Sequence, residues 1–142
     1  MFLVMGKEIC GDQITEGMIH AFVSKLCLHS VFGESKKGGG VYLLGDRCVE
    51  YIGQTMTYKT RVAQHRRNGL PGVYGLLPLP MRAYNGRHTA ETLERIMLWS
   101  VRPHLNTVIC TDLARIRYSF YWSIEVLRGI NSDYRELVES PT

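Results

Sequence analysis

Long apolar runs are missing from this chain. Residues 1–5 are apolar, but the stretch stops at Gly6-Lys7-Glu8. That is too short for a signal-peptide core or a membrane span, so a cytoplasmic or nucleoid-associated protein with no membrane partner is expected. Paired cysteines are missing too. Cys10, Cys27, Cys48 and Cys110 are scattered, form no Cys-x-x-Cys, and make no zinc spacing with the five histidines. This excludes the common structural zinc modules and favours reduced thiols. No helix-turn-helix or other module for reading DNA sequence is recognisable. Charge of one sign is not extreme: 17 Lys and Arg against 13 Asp and Glu leave +4, a lean toward a polyanionic partner and no more. The 142 residues suit one domain, 1–142, and are too few for two ordinary ones.

Within those bounds the chain holds one informative stretch. Residues 41–44 and 48–52 are rich in Val, Leu, Ile and Tyr, and Gly45-Asp46 between them suits a two-residue hairpin turn. Two antiparallel strands would bring Tyr42 and Tyr51 toward one end of a small sheet. A glycine near each tyrosine would let a substrate or another backbone come close.

Around this hairpin the periodicity predicts helices. Ile14, Met18, Phe22 and Leu26 have helical spacing over 12–28, with Asp12 as an available N-cap. Thr57 can cap a helix from Tyr58 to Arg67 that Asn68-Gly69 closes. On it Arg61 and His65 share a face, and Val62 and Ala63 turn inward. Residues 69–80 read as a surface loop, including Gly72-Val73-Tyr74, which repeats an earlier tripeptide without its sequel. A third strand is expected over 77–84, made irregular by Pro78 and Pro80. A helix over 89–101 buries Ala90, Leu93, Met97 and Val101 and stops at Pro103. Residues 113–127 fit either a helix capped by Asp112 and ended by Gly129 or an alternating strand, and length favours the helix. Arg115, Arg117, Tyr118 and Tyr121 could mix charge with stacking rings, or pack on the N-terminal helix. Residues 131–142 read as a short acidic helix and tail.

The tripeptides Gly40-Val41-Tyr42 and Tyr51-Ile52-Gly53 are followed by Gln54-Thr55, by Arg61 eight positions after Gly53, and by His65 four later. Glu94 then precedes Pro103 by nine residues and Asn106 by twelve. This series resembles the signature of the GIY-YIG nuclease superfamily, which includes a catalytic domain of the bacterial excinuclease and certain homing and restriction endonucleases. The resemblance implies an α+β fold: a small three-stranded antiparallel or mixed sheet flanked by helices. Its catalytic core would span 39–106, with a helical N-terminal extension, 1–38, and a C-terminal extension, 107–142.

The resemblance also implies a divalent-metal-dependent endonuclease acting on DNA. Tyr42, Tyr51, Arg61, His65 and Glu94 would be catalytic, and Gly53, Gln54, Arg66 and Asn106 would contact substrate. Glu94, selected over Glu91 by its distance to Pro103 and Asn106, would hold one Mg²⁺ or Mn²⁺. Arg61 presents a planar fork suited to two phosphate oxygens. His65 could bond a phosphate or assist proton transfer near neutral pH. Tyr42 or Tyr51 would activate the water, with Tyr42 placed first. A tyrosine titrating near 10 would need nearby cations to do so. Asn106 has a structural or phosphate-contacting place. Targeting would come from loops, a homodimer or a protein partner; a non-catalytic nucleic-acid-binding module on the same scaffold is the other expectation.

Overall fold

The computed structural model describes residues 2–34, 36–83 and 85–140. Among these residues the fold is α+β, and every strand pairing is antiparallel. The chain opens with β1 (Phe2–Val4) and β2 (Lys7–Ile9), a small hairpin, then a 3-10 turn at Gly11–Gln13. Helix α1 (Glu16–His29) leads to β3 (Val31–Phe32), β4 (Gly39–Gly45) and β5 (Val49–Thr55). Helix α2 (Tyr58–Arg67), β6 (Val73–Leu79), α3 (Gly86–Val101), α4 (Leu113–Ile130) and α5 (Ser132–Glu139) complete it.

The main sheet has four strands in the order β3-β6-β4-β5, one more than expected. The extra strand, β3, is two residues long and too short to carry any periodic signal. Its partner β6 begins at Val73, so the second Gly-Val-Tyr is not a surface loop but the opening of an internal strand. The expected strand limit at Tyr84 lies outside the described residues. Pro78 is tolerated inside β6 because β3 pairs only with Gly75 and Leu76, so no neighbour asks Pro78 for an N–H. The N-terminal extension is likewise not purely helical, since it contributes β1, β2 and β3.

Local capping explains where the helices begin. Thr15, not Asp12, caps α1: its Oγ1 accepts from the Met18 N–H at 3.1 Å, while Asp12 sits in the preceding 3-10 turn. Helix α2 matches its expected limits, but Thr57 makes no side-chain cap hydrogen bond, and Gly69 (φ 81°) takes the left-handed conformation beyond its end. Asp112 caps α4 by accepting from Ala114 N at 3.1 Å, which resolves residues 113–127 as helix; it continues through Gly129 to Ile130. The β4–β5 turn is not the expected two-residue hairpin. The register shifts at Leu44/Gly45, and residues 46–48 make a three-residue connection.

The sheet separates two apolar clusters. Val41, Leu43 and Ile52 point to the face covered by α3, and α1, α4 and α5 extend that cluster outward. Phe22 of α1 and Phe120 of α4 meet edge to face at 5.5 Å within it. The opposite face carries Tyr42, Leu44, Tyr74 and Leu76, covered by Tyr58 and Val62 of α2. Ala63 is exposed, against the inward position expected of it. No helix among the described residues is long and apolar enough to cross a membrane.

Candidate functional site

Strand register builds the site. Tyr42 on β4 stands opposite Gly53 on β5, and Leu44 stands opposite Tyr51, so all four positions face α2. A Cβ on Gly53 would lie 2.6 Å from both Cζ and Oη of Tyr42. Gly53 therefore makes room for the Tyr42 ring, which lies across β5 and leaves no opening there for substrate. Gly40 similarly admits the Leu77 backbone, whose oxygen would sit 2.0 Å from a Cβ.

Helix α2 delivers His65 to the end of that ring. Tyr42 Oη and His65 Nε2 share a hydrogen bond of 2.8 Å. Tyr51 closes the group, its ring centroid 5.9 Å from that of Tyr42 and 5.4 Å from that of His65. Tyr74, which sequence reasoning assigned to a loop, stacks on His65 at 6.1 Å. Each contact follows from α2 packing Val62 and Tyr58 against the sheet, one turn from His65 and Arg61.

Glu94 arrives from the other face. On α3 it faces β5, where the neighbouring Gln54 side chain favours its charged form. Tyr42 nonetheless feels both Arg61 and Glu94 electrostatically. β5 is an edge strand, so side chains from both faces flank its open side. Its outer edge is covered early, where Leu105 N donates to Glu50 O at 3.0 Å and Asn106 bridges Ile52. Beyond Ile52 the edge opens into a cleft of about 330 Å³ lined by Gln54, Thr55, Met56, Arg61, Met81, Arg87 and Glu91. Arg61 and Arg87 have no carboxylate ion-pair partner among the described residues. A larger apolar groove of about 800 Å³ between α1 and α5 contains none of these site residues.

Burial shapes the proton affinities. It pushes the Tyr42 hydroxyl strongly upward, helped by Tyr51 and Glu94 and opposed by Arg61. Arg61 acts in the direction a tyrosine base requires, but desolvation outweighs it. His65 is lowered, first by burial and then by the Arg61 charge. Glu94 is raised by burial and by Glu91, against the Gln54 hydrogen bond and Arg95. It has no ion-pair partner among the described residues, so a bound cation would relieve its desolvation. One such carboxylate fits an ion that keeps most of its waters, with Glu91 close by. No group of three or more His, Cys, Asp or Glu among the described residues could cage a metal.

Two residues expected at the substrate are committed elsewhere. Arg66 pairs with Glu34, donates to Gly72 O and lies 4.8 Å over the Tyr74 ring, which pins the loop before β6. Asn106 spends its amide on β5: Oδ1 accepts from Ile52 N at 3.0 Å and Nδ2 donates to Ile52 O at 2.9 Å. It extends the sheet edge by one side chain. No periodic pattern in the sequence distinguishes Arg87, which lies in the first turn of α3. Compared with known proteins, the chain matches no family model, no curated protein and no solved structure.

Proposed function

We propose that this protein is a divalent-metal-dependent DNA endonuclease of the GIY-YIG type. The observation that carries the reading is the Tyr42–His65 hydrogen bond of 2.8 Å, with Tyr51 against both rings and Arg61 and Glu94 within electrostatic reach. In this reading the buried phenol stays protonated and donates to the neutral imidazole at Nε2. A water positioned by Tyr42 and Tyr51 gives its proton to Tyr42 Oη as the Tyr42 proton passes to His65. The resulting hydroxide attacks phosphorus in line and the bond to the 3′ oxygen breaks. The phenol is thus never required to hold a lasting negative charge, which its burial opposes.

Arg61 receives the phosphate oxygens, and burial, with the Arg61 charge second, keeps His65 neutral and ready to accept. Glu94, steadied by Gln54, would hold the Mg²⁺ or Mn²⁺. When bound, that ion polarises the phosphate and supports the leaving oxygen. Glu91, not Glu94, is the carboxylate on the cleft lining, so in this reading the ion would lie between Glu94 and the cleft and keep most of its waters.

The strong upward shift of Tyr42 also favours a second reading, a non-catalytic nucleic-acid-binding module on this scaffold. Incubation of purified protein with duplex, single-stranded, flap and junction DNA, with Mg²⁺ and with EDTA, separates the two. Metal-dependent cleavage that Arg61→Ala abolishes supports the nuclease. Salt-dependent binding without cleavage on every substrate supports the module.

A further inference from the structure

We infer that Arg87 is a second phosphate-binding residue, gripping a backbone phosphate beside the scissile one. The inference rests on the nuclease reading of the cleft. Arg61 and Arg87 come from different helices, α2 and α3, yet both line the same opening of about 330 Å³ beyond the covered part of β5. Both are exposed, and neither has a carboxylate ion-pair partner among the described residues. Two guanidinium groups facing one cleft repel each other unless an anion lies between or along them. Only Glu91 on the lining carries the opposite sign.

The position of Arg87 is firmly held. Asn85 takes a left-handed conformation (φ 64°), and Gly86 packs so closely that a Cβ would meet Pro80 O at 2.3 Å. The first turn of α3 is therefore clamped against the exit of β6, with Met81 on the same wall of the cleft. Arg87 adds its charge at a helix start, where backbone N–H groups already favour anions. In this inference a substrate held at both arginines continues past the reacting phosphate. The cleft is thus built for a nucleic-acid chain and would discriminate against a mononucleotide phosphodiester.

The test compares wild type, Arg87→Gln and Arg82→Gln. Arg82 is an exposed arginine that does not line the cleft. Binding to a short fluorescein-labelled DNA duplex in EDTA is followed by anisotropy across a salt titration, and steady-state cleavage is followed in Mg²⁺. Arg87→Gln is expected to weaken binding on the order of tenfold and to flatten the log–log salt slope by about one. It should raise KM similarly with a smaller effect on kcat, and its loss should disappear on a dinucleotide-sized phosphodiester probe. Arg82→Gln should keep the wild-type slope. If wild type cleaves DNA while Arg87→Gln keeps the wild-type slope and KM, the inference is overturned and the nuclease reading survives. An equal effect from Arg82→Gln overturns it as bulk charge. Wild type that neither binds nor cleaves DNA overturns both.

Discussion

Replacing Gly53 with alanine tests whether the tyrosine over that glycine is the working part of the site. The new Cβ would stand 2.6 Å from Tyr42 Cζ and Oη and 2.8 Å from Cε1. Carbon atoms in contact prefer about 3.5–4.0 Å, so the ring must retreat by roughly 1 Å. It has little room, being 2% exposed among Leu44, Tyr58, Val62, Tyr74 and Leu76. Overpacking of this kind costs about 1–3 kcal/mol, a fall in Tm of about 3–4 °C per kcal/mol for a domain of this size. The retreat also draws Oη from its 2.8 Å bond to His65. Misplacing a reacting group by ~1 Å lowers kcat on the order of a hundredfold. Plasmid nicking at a temperature where Gly53→Ala stays folded measures the rate, and a thermal melt measures the stability. Adding Tyr42→Ala should relieve most of the extra stability cost of Gly53→Ala while leaving activity low. A folded Gly53→Ala protein that nicks DNA at the wild-type rate would refute the reasoning.

Other outcomes follow from the same geometry. Arg61 helps lower the His65 pKa, so Arg61→Gln should raise the His65 titration midpoint toward 6.5, read by NMR of the ring protons; an unchanged midpoint would remove Arg61 from the site. A folded-state pKa below the unfolded value gives stability that is present above about pH 6.5 and lost as pH falls through the folded value. His65→Gln should therefore flatten the acid limb of stability measured by urea titration, and a limb of wild-type slope would contradict that. Asn106→Ala leaves the Ile52 N–H and carbonyl without their partners, at a cost of about 1–3 kcal/mol in a thermal melt. Its affinity for DNA should be unchanged; weaker binding at full stability would return Asn106 to the substrate.

Much of the site could be read from the chain, for physical reasons. Asn68-Gly69 marks the end of α2 and helical spacing relates Arg61 to His65 by one turn, whereas the cap expected of Thr57 forms no side-chain hydrogen bond. The two strands around Gly45 were legible through their β-branched and aromatic residues, although the bulge at Leu44/Gly45 was not. Strand β6 was hidden by Pro78 and by Gly72 and Gly75. What permits a proline there is the shortness of β3, a property of a distant segment. Asp12 and Thr15 are both acceptable caps, and only the packing of Ile19, Phe22 and Val23 selects the later start. Asn106 and Arg66 illustrate the limit of spacing. A motif locates a residue in the chain but does not say whether its polar atoms are already used by neighbours, here Ile52, Gly72 and Glu34. Gly53 gives the clearest correction: its missing side chain is filled by Tyr42 and leaves no gap for a ligand.

Glu94→Gln offers the most direct measurement. The substitution keeps the shape of the side chain and its contact with Gln54 while removing the charge a metal would need. Its burial disfavours the charged form, so the melting temperature should hold or rise. The initial rate of plasmid cleavage in Mg²⁺ should fall by on the order of a hundredfold or more relative to wild type. Wild-type cleavage by a well-folded Glu94→Gln protein would contradict the account.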